Sequence, residues 1–477
     1  MTTIMTTPTN TLATKHELFT TLTLAPALQG ALSELSYTAL TETQQACLPV
    51  LLSGKDAAVM AKTGTGKTLA FGLTILNELI ADQENGHSGV HTVVLCPTRE
   101  LAQQVAEQMR LLAKQHPNTK VLTLVGGVSI GPQIASLVHA PSIVVGTPGR
   151  VMDLIRKNKL DVSGVKALVL DEADRILDMG FSDQMSWILS ALPAERHSML
   201  FSATYGGAIE RLTKQYLHKA TIIEVEDNQQ HTQITQLAYT LQDDRMVYAV
   251  AAVLTEHQPT SCMVFCQTKQ QTQELADDLL EKGFNVQAIH GDLTQAQRQQ
   301  VLTQFALKCS NLLIATDVAA RGLDLDQVDL VINAQLADSA ETHTHRIGRT
   351  GRAEQTGTAI TLIHETQQKA LAQIAQDTNS HIPVKHIQAL RFHSNRIVLP
   401  THECVLVDGG KKQKISKGDL LGALIKQAEI AKEDIGKMQI THDKAYIAIK
   451  QRSVKRALLF FREKRVKGKS LRARKLS

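Results

Sequence analysis

The chain has 477 residues, 43% of them hydrophobic, and a formal net charge of +5. This length suggests about three domains, since a domain commonly holds roughly 150 residues. The chain has no apolar run long enough to cross a membrane, and its first 15 residues lack the apolar core of a secretory signal. These features predict a soluble, unexported protein, and six scattered cysteines without zinc-site spacing predict free thiols in a reducing cytoplasm.

Positive charge is concentrated at the C-terminus. Residues 403–477 hold 20 Lys and Arg against 8 Asp and Glu, so the rest of the chain is net acidic. A block this basic indicates a nucleic-acid partner, although a solvated basic surface would have the same composition.

Short apolar, β-branched runs alternate with stretches of helical periodicity through the first 365 residues. Seven such runs lie between residues 56 and 224 and five between residues 261 and 363, which predicts two parallel sheets flanked by helices. The predicted organisation is a flexible N-terminal tail (1–15), a first domain (16–223), a linker (224–243), a second domain (244–378), a second linker (379–402) and a C-terminal domain (403–477).

A glycine-rich segment follows the first predicted strand and precedes an apolar helix. This order is typical of a P-loop, in which backbone N–H groups surround phosphates, Lys67 reaches the terminal phosphates and the Thr68 hydroxyl binds Mg²⁺. The alternative is a glycine turn that caps a helix. The segment consists of Ala61, Lys62, Thr63, Gly64, Thr65, Gly66, Lys67 and Thr68.

Acidic residues follow another buried strand, in the segment Asp171-Glu172-Ala173-Asp174. Asp171 is placed to hold Mg²⁺, and Glu172 to orient and deprotonate an attacking water. Taken alone, the same acids are also common at an exposed helix start. Phosphoryl transfer further requires cations on the γ-phosphate, and three arginines, Arg346, Arg349 and Arg352, alternate with glycines in the second domain. Such arginines are also common in solvated surface clusters.

The ordered motifs resemble the full set found in DEAD-box RNA helicases, over about residues 19–363. The resemblance rests on Gln44, the P-loop, Pro97–Ala102, Gly126-Gly127, Thr147–Arg150, Asp171–Asp174, Ser202–Thr204, Ala315–Asp324 and His345–Arg352. It implies an α/β fold of two tandem RecA-like P-loop domains, to which the element order of the tail adds a C-terminal RRM-like α+β domain. It also implies an RNA-dependent ATPase that uses ATP and Mg²⁺ and acts as a monomer.

The resemblance assigns roles to individual residues. It implies that Phe19 stacks on adenine, Gln44 reads its edge and Asp324 holds the ribose, while Arg349 and Arg352 act as arginine fingers. Ser202 and Thr204 would couple hydrolysis to strand separation. Residues in the motifs that contact the sugar-phosphate backbone of RNA are Thr98, Arg99, Gly127, Thr147, Arg150 and Thr316. Each of these taken singly is also a common turn or capping residue, and Arg99 could pair with Glu100.

The basic tail has a predicted βαββαβ order, which is the layout of an RRM. Its expected base-stacking strand offers one aromatic, Tyr446, so Lys411 and Lys412 in a lysine-rich loop are better candidates for RNA contact. The tail resembles the C-terminal domain of a bacterial group within the family. That resemblance implies targeting to large-subunit ribosomal RNA and a role in assembling that subunit.

Overall fold

The structure is a computed structural model that describes residues 4–6, 18–61, 64–225, 234–241, 245–320, 327–351 and 356–476. Four residues with predicted roles, Lys62, Thr63, Asp324 and Arg352, lie outside the described residues. The chain divides into two compact units with a boundary between residues 228 and 229. We call the first unit lobe 1, and the second unit contains lobe 2 (residues 234–400) and the tail (residues 402–476). No described helix is long and apolar enough to cross a membrane.

Lobe 1 is a parallel sheet between two layers of helices. Its strands are β1 (Ile4–Thr6), β2 (Ala57–Met60), β3 (Thr92–Leu95), β4 (Val121–Leu124), β5 (Ile143–Gly146), β6 (Ala167–Leu170), β7 (His197–Ser202) and β8 (Thr221–Glu224). Its helices are α1 (Pro26–Glu34), α2 (Glu42–Leu51), α3 (Lys67–Glu84), α4 (Arg99–Leu112), α5 (Ile130–Ser136), α6 (Pro148–Arg156), α7 (Ala173–Asp178), α8 (Ser182–Ala191) and α9 (Gly207–Tyr216).

The strand order in lobe 1 is β1-β8-β2-β7-β6-β3-β5-β4, and every neighbouring pair is parallel. Central strands are buried on both faces, which explains their continuous apolar sequence. Because all strands run the same way, their carboxyl ends lie at one edge, where ligands bind in open α/β sheets. Ile4–Thr6, inside the predicted flexible tail, extends this sheet by pairing with β8, whose edge would otherwise present unpaired backbone groups.

Lobe 2 repeats the parallel arrangement in the order β11-β12-β10-β13-β14-β9-β15. Its strands are β9 (Ile234–Leu241), β10 (Cys262–Cys266), β11 (Val286–Ile289), β12 (Leu312–Thr316), β13 (Leu330–Asn333), β14 (Gly357–His364) and β15 (Val384–His386). Its helices are α10 (Met246–His257), α11 (Lys269–Glu281), α12 (Gln295–Ala306), α13 (Asp317–Ala320), α14 (Ala340–Ile347) and α15 (Gln368–Asp377).

Both predicted linkers contribute to lobe 2. Residues 234–241 fall inside the linker predicted for 224–243, but they form β9, which pairs with β14 over eight residues. Residues 384–386 fall inside the linker predicted for 379–402 and form the edge strand β15. The later part of that stretch is also attached, since Asn311 Nδ2 donates to the Val398 carbonyl at 2.7 Å. The connections are therefore shorter than predicted, because pairing with distant strands orders these polar segments.

The tail has the predicted βαββαβ order with one addition. Its strands are β16 (His402–Val407), β17 (Ile435–Ile440), β18 (Ala445–Lys450), β19 (Arg465–Val466), β20 (Lys469–Ser470) and β21 (Ala473–Leu476), and its helices are α16 (Lys417–Lys426) and α17 (Gln451–Glu463). The antiparallel sheet order is β17-β18-β16-β21, and the short hairpin β19–β20 precedes the last strand. The last strand, β21, therefore begins only after this hairpin, at Ala473.

Candidate functional site

The glycine-rich segment joins β2 to α3 at the carboxyl edge of the lobe 1 sheet. Gly66 immediately precedes α3 and has a left-handed backbone with φ of 87°. A Cβ at this position would collide with the Gln44 amide. Glycine is therefore required here both by backbone conformation and by close approach. The N–H groups in the first turn of the 18-residue helix α3 point toward this loop. Such an arrangement is suited to binding a phosphate.

Gln44 contacts this loop directly. Its Nε2 donates to the Gly66 carbonyl at 3.1 Å, and Thr41 Oγ1 donates to the Thr65 carbonyl at 2.7 Å. A capping box between Thr41 and Gln44 begins α2 and fixes the Gln44 side chain. Phe19 also lies in lobe 1, where it belongs to the core and is 3% exposed. The predicted adenine contacts of Phe19 and Gln44 therefore stay predictions.

Lys67 and the acidic segment form a buried charged cluster. Lys67 Nζ donates to the Ala61 carbonyl at 2.7 Å. Burial lowers the pKa of Lys67, an effect that Asp171 and Glu172 oppose. Burial, and next the Glu172 carboxylate, raise the pKa of Asp171 to about 7. A nearby cation stabilises the ionised form of a buried carboxyl. Asp171 therefore fits the role of a Mg²⁺ ligand.

Asp174 connects the acidic segment to the segment Ser202–Thr204. Its Oδ2 accepts the Ala203 N–H at 3.0 Å and the Thr204 hydroxyl at 3.4 Å. Ser202 Oγ in turn donates to the Thr204 carbonyl at 2.7 Å. One carboxylate therefore links the acidic segment to this loop.

The predicted RNA contacts of lobe 1 lie after β3, β4 and β5, at the same edge. The Arg99 guanidinium lies against Gly127, in the place that a Cβ would occupy, and the φ of 68° at Gly127 separately favours glycine. Thr147 Oγ1 accepts the Gly126 N–H at 3.3 Å, and Arg150 Nη2 donates to the Val128 carbonyl at 2.9 Å. Thr98 caps α4 by accepting the Leu101 N–H at 3.2 Å. The structure thus brings these five predicted residues onto one rim.

Lobe 2 carries the remaining motif residues. Thr316 ends β12, and its Oγ1 accepts the Ala319 N–H at 3.3 Å. Arg349 lies just beyond the end of α14 and is half-buried. Arg346, which the sequence offers with Arg349 and Arg352 as a candidate cation for the γ-phosphate, makes a bidentate ion pair with Asp317, with distances of 2.8 and 2.7 Å. It is 1% exposed, so it fixes the segment that carries Arg349.

The sheet face of the tail packs on lobe 2. Successive residues of β16 and β18 alternate between the two faces of the sheet, and the side chains of one face pack against α16 and α17. The other face forms an apolar cluster with Leu307 and Cys309 of lobe 2. The residues that contribute from the tail are Cys404, Leu406, Tyr446 and Ala448, with Leu476 at the margin. Tyr446 is 4% exposed, so its ring is not available to stack on a base.

Exposed lysines cluster instead at one end of the tail sheet. Lys411 and Lys412 are exposed, and their backbone N–H groups donate to the carbonyls of Thr441 and His442 at 3.0 and 2.7 Å. Hairpin β19–β20 packs beside them, since Lys467 donates to the Lys414 carbonyl at 3.4 Å and Lys469 to the Gln413 carbonyl. We call this surface the lysine edge, and it comprises Lys411, Lys412, Lys414, Lys467 and Lys469.

Family models match segments of lobe 1, lobe 2 and the tail. The DEAD/DEAH box helicase family matches residues 41–212, the helicase conserved C-terminal domain matches residues 245–354, and the DbpA RNA binding domain matches residues 405–475. The chain is 41% identical over 461 residues to the ATP-dependent RNA helicase DbpA of Escherichia coli K12, covering 96% of this chain and 99% of that protein. This chain belongs to the DEAD-box helicase family. It is therefore an ATP hydrolase with a DbpA-type RNA-binding domain.

Solved DEAD-box structures share this fold. Dbp5 of Saccharomyces cerevisiae bound to RNA and ADP BeF3 matches with a TM-score of 0.70 and 29% identity, covering 78% of this chain and 96% of that chain. Mss116p bound to ssRNA and AMP-PNP matches with a TM-score of 0.71 at 24% identity, covering 80% and 82%. The second likeness supports the fold alone.

The DEAD-box motifs were recognisable from sequence, whereas the distant partners of some motif residues were not. Asp174 and Arg346 act through partners 29 positions away in the chain, Ala203 and Asp317 respectively. The third acid of the motif, at its fourth position, was a usable signal for Asp174. No sequence signal pointed to the ion pair of Arg346.

Burial of Tyr446 leads to the first prediction. We expect Tyr446→Ala to lower the free energy of unfolding by about 3 kcal/mol, the usual cost of removing a buried aromatic, and to change RNA affinity less than about twofold. Chemical denaturation and RNA titration measure the two effects, with Leu459→Ala, at a tail residue that is 48% exposed, as control. Lost RNA affinity with unchanged stability would instead mean that bases stack on Tyr446.

Proposed function

We propose that this protein uses ATP hydrolysis to separate short RNA duplexes, and that its tail directs it to large-subunit ribosomal RNA during assembly of that subunit. We also propose that the protein acts in the cytoplasm and as a monomer.

The observation that carries the unwinding proposal is the Asp174 link. One carboxylate joins the segment that contains Asp171 and Glu172 to Ser202–Thr204, whose counterpart in the family couples hydrolysis to strand separation. The predicted RNA-binding rim lies at the same sheet edge as the P-loop. An ATP-dependent rearrangement of the acidic segment would therefore change the positions of the residues on the RNA-binding rim.

Several site residues have proposed roles toward the nucleotide and its metal. Bound Mg²⁺ would neutralise charge on the phosphates, with Thr68 and Asp171 as its protein ligands. Lys67 would exchange its bond to the Ala61 carbonyl for the terminal phosphates. Glu172 would take the proton of the attacking water, and Arg349 and Arg352 would stabilise negative charge on the transferred group.

The rRNA proposal rests on the tail. The lysine edge offers exposed cations on a fixed loop and hairpin, which suits phosphate contacts. The tail also matches the DbpA RNA binding domain along nearly its whole length. Large-subunit rRNA as the target follows from the resemblance to that group.

Two other functions use the same ATP site. An RNA-binding assembly factor could use ATP as a clamp signal without productive unwinding. A translocase on double-stranded DNA is a third possibility, and equal stimulation of ATP hydrolysis by DNA and RNA would support it. Lys67 and Glu172 are needed in all three, so substitutions there do not separate them.

A strand-displacement assay separates them. We expect ATP to release the labelled strand of a short RNA duplex that is attached to an rRNA fragment, whereas Lys67→Ala should release none because the phosphates lose their cation. ATP hydrolysis measured in the same samples gives the turnover. Turnover without displacement of any short duplex would refute the unwinding proposal and favour the clamp.

A further inference from the structure

A buried arginine lies next to the proposed general base. Arg175 is 2% exposed and is among the largest fully buried side chains of the chain. Its Nη1 donates to Glu172 Oε2 at 2.9 Å, and the Glu172 side chain is 8% exposed. A cation at this depth is costly unless a carboxylate pairs with it, so the pair is a built feature of the site.

The backbone of Glu172 depends on the same arginine. Glu172 has a left-handed φ of 50°, which is unfavourable for a residue with a side chain. The Arg175 N–H donates to the Glu172 carbonyl at 3.0 Å and to Asp174 Oδ1 at 2.9 Å. Side chain and backbone of Arg175 therefore both restrain Glu172.

The charges of the cluster show why this restraint matters. Three carboxylates, Asp171, Glu172 and Asp174, face two cations, Lys67 and Arg175. Lys67 is proposed to bind phosphate, which leaves Arg175 as the cation that stays with Glu172. The ion pair engages Oε2 and leaves Oε1 outside it, while Arg175 Nη2 has no partner in the described part of the chain.

We propose that Arg175 is the positioning residue of Glu172, holding its carboxylate oriented with Oε1 toward the attacking water. This inference rests on the proposed function, in which Glu172 is the general base. Water oxygen bonds to the γ-phosphorus as the bond to the β–γ bridging oxygen breaks, the electron pair leaves with ADP, and the proton of the water passes to Glu172. Arg175 contacts neither reactant, so its effect reaches the reaction only through Glu172.

A purely structural role for Arg175 makes different predictions. If Arg175 only neutralises buried charge in lobe 1, its removal should weaken folding and ATP binding together, and the loss should add to that of Glu172→Gln. If it positions Glu172, kcat should fall while ATP affinity is kept, and the two losses should not add.

The test uses the full chain with Arg175→Met, Arg175→Lys, Glu172→Gln and the double variant Glu172→Gln/Arg175→Met. Arg196→Met is the matched control, since Arg196 is a partly buried arginine of lobe 1 that donates to the Pro193 carbonyl. RNA-stimulated turnover gives kcat and KM, a fluorescent ATP analogue gives the dissociation constant, and thermal unfolding gives Tm.

We expect Arg175→Met to lower kcat by about 20-fold or more with the ATP dissociation constant within about threefold, and Arg175→Lys to recover most of kcat. The double variant should turn over no more slowly than Glu172→Gln. It should also have a higher Tm than Arg175→Met, because neither charge is then buried alone.

Three outcomes would overturn the inference: kcat of Arg175→Met within twofold of the unmodified protein, additive losses in the double variant, or no recovery by lysine. If Arg175→Met does not fold, Arg175→Lys and Arg175→Gln give the same comparison. Full activity of Glu172→Gln would refute the general-base role itself, whereas an inactive Glu172→Gln beside an active Arg175→Met would refute only the role of Arg175.

Discussion

Glu172→Gln should bind ATP and RNA but lose hydrolysis, with kcat reduced about 1,000-fold, within the range that removal of a general base commonly causes. The amide is nearly isosteric and its oxygen can still accept from Arg175 Nη1, so the site should keep its shape. What the substitution removes is the ability to take a proton from water. RNA-stimulated phosphate release and direct nucleotide binding measure the two properties separately.

Glu210→Gln is a suitable control for this experiment. Glu210 is also in lobe 1 and pairs with Lys214 at the surface, at 2.6 Å, so its neutralisation should leave hydrolysis unchanged. Turnover of Glu172→Gln equal to that of Glu210→Gln would refute the role of Glu172.

The second large effect concerns the tail. Deletion of residues 403–477 should remove the preference for large-subunit rRNA and leave hydrolysis on generic RNA at higher RNA concentration. The deletion also uncovers Leu307 and Cys309, so a variant of the full chain is the cleaner experiment. We expect Lys411→Glu/Lys412→Glu to weaken binding of an rRNA fragment by about 100-fold at moderate salt, since two phosphate contacts become repulsive.

Salt dependence identifies the cause of this effect. Each lost phosphate contact on single-stranded RNA should reduce the slope of log K against log salt by about 0.7, so the double variant should lose about 1.4. Lys426→Glu/Lys432→Glu is the matched control, because these two lysines are also exposed in the tail but lie outside the lysine edge. Equal loss of affinity in both double variants would indicate a general charge effect, and unchanged rRNA preference after deletion would place specificity in the lobes.

Much of the fold could be predicted from local sequence. The central strands of both lobes are buried on both faces, so each is a continuous apolar run that is visible without knowledge of its partners. The P-loop and the acidic segment were equally visible, because turn residues and carboxylates directly follow such strands. Their joint placement followed from one rule, that parallel strands end at the same edge.

Segments that depend on distant partners were harder to predict. β9 was assigned to a linker because residues 224–243 as a whole are polar and rich in glutamine. Its neighbours β14 and β15 lie more than 100 residues later in the chain, so no local pattern shows the pairing. The same limit applies to the Arg346–Asp317 pair.

The sequence by itself determined the chemistry of this protein, since the order of its motifs specifies an ATP-hydrolysing DEAD-box helicase with a basic tail. The tertiary structure alone decided how that chemistry is supported. It paired Arg175 with Glu172 in a buried site, joined Asp174 to Ser202–Thr204, and covered Tyr446 with Leu307 and Cys309. The physical reason is that burial and charge pairing depend on which surfaces meet in space, whereas motif chemistry is carried by residues close together in the chain.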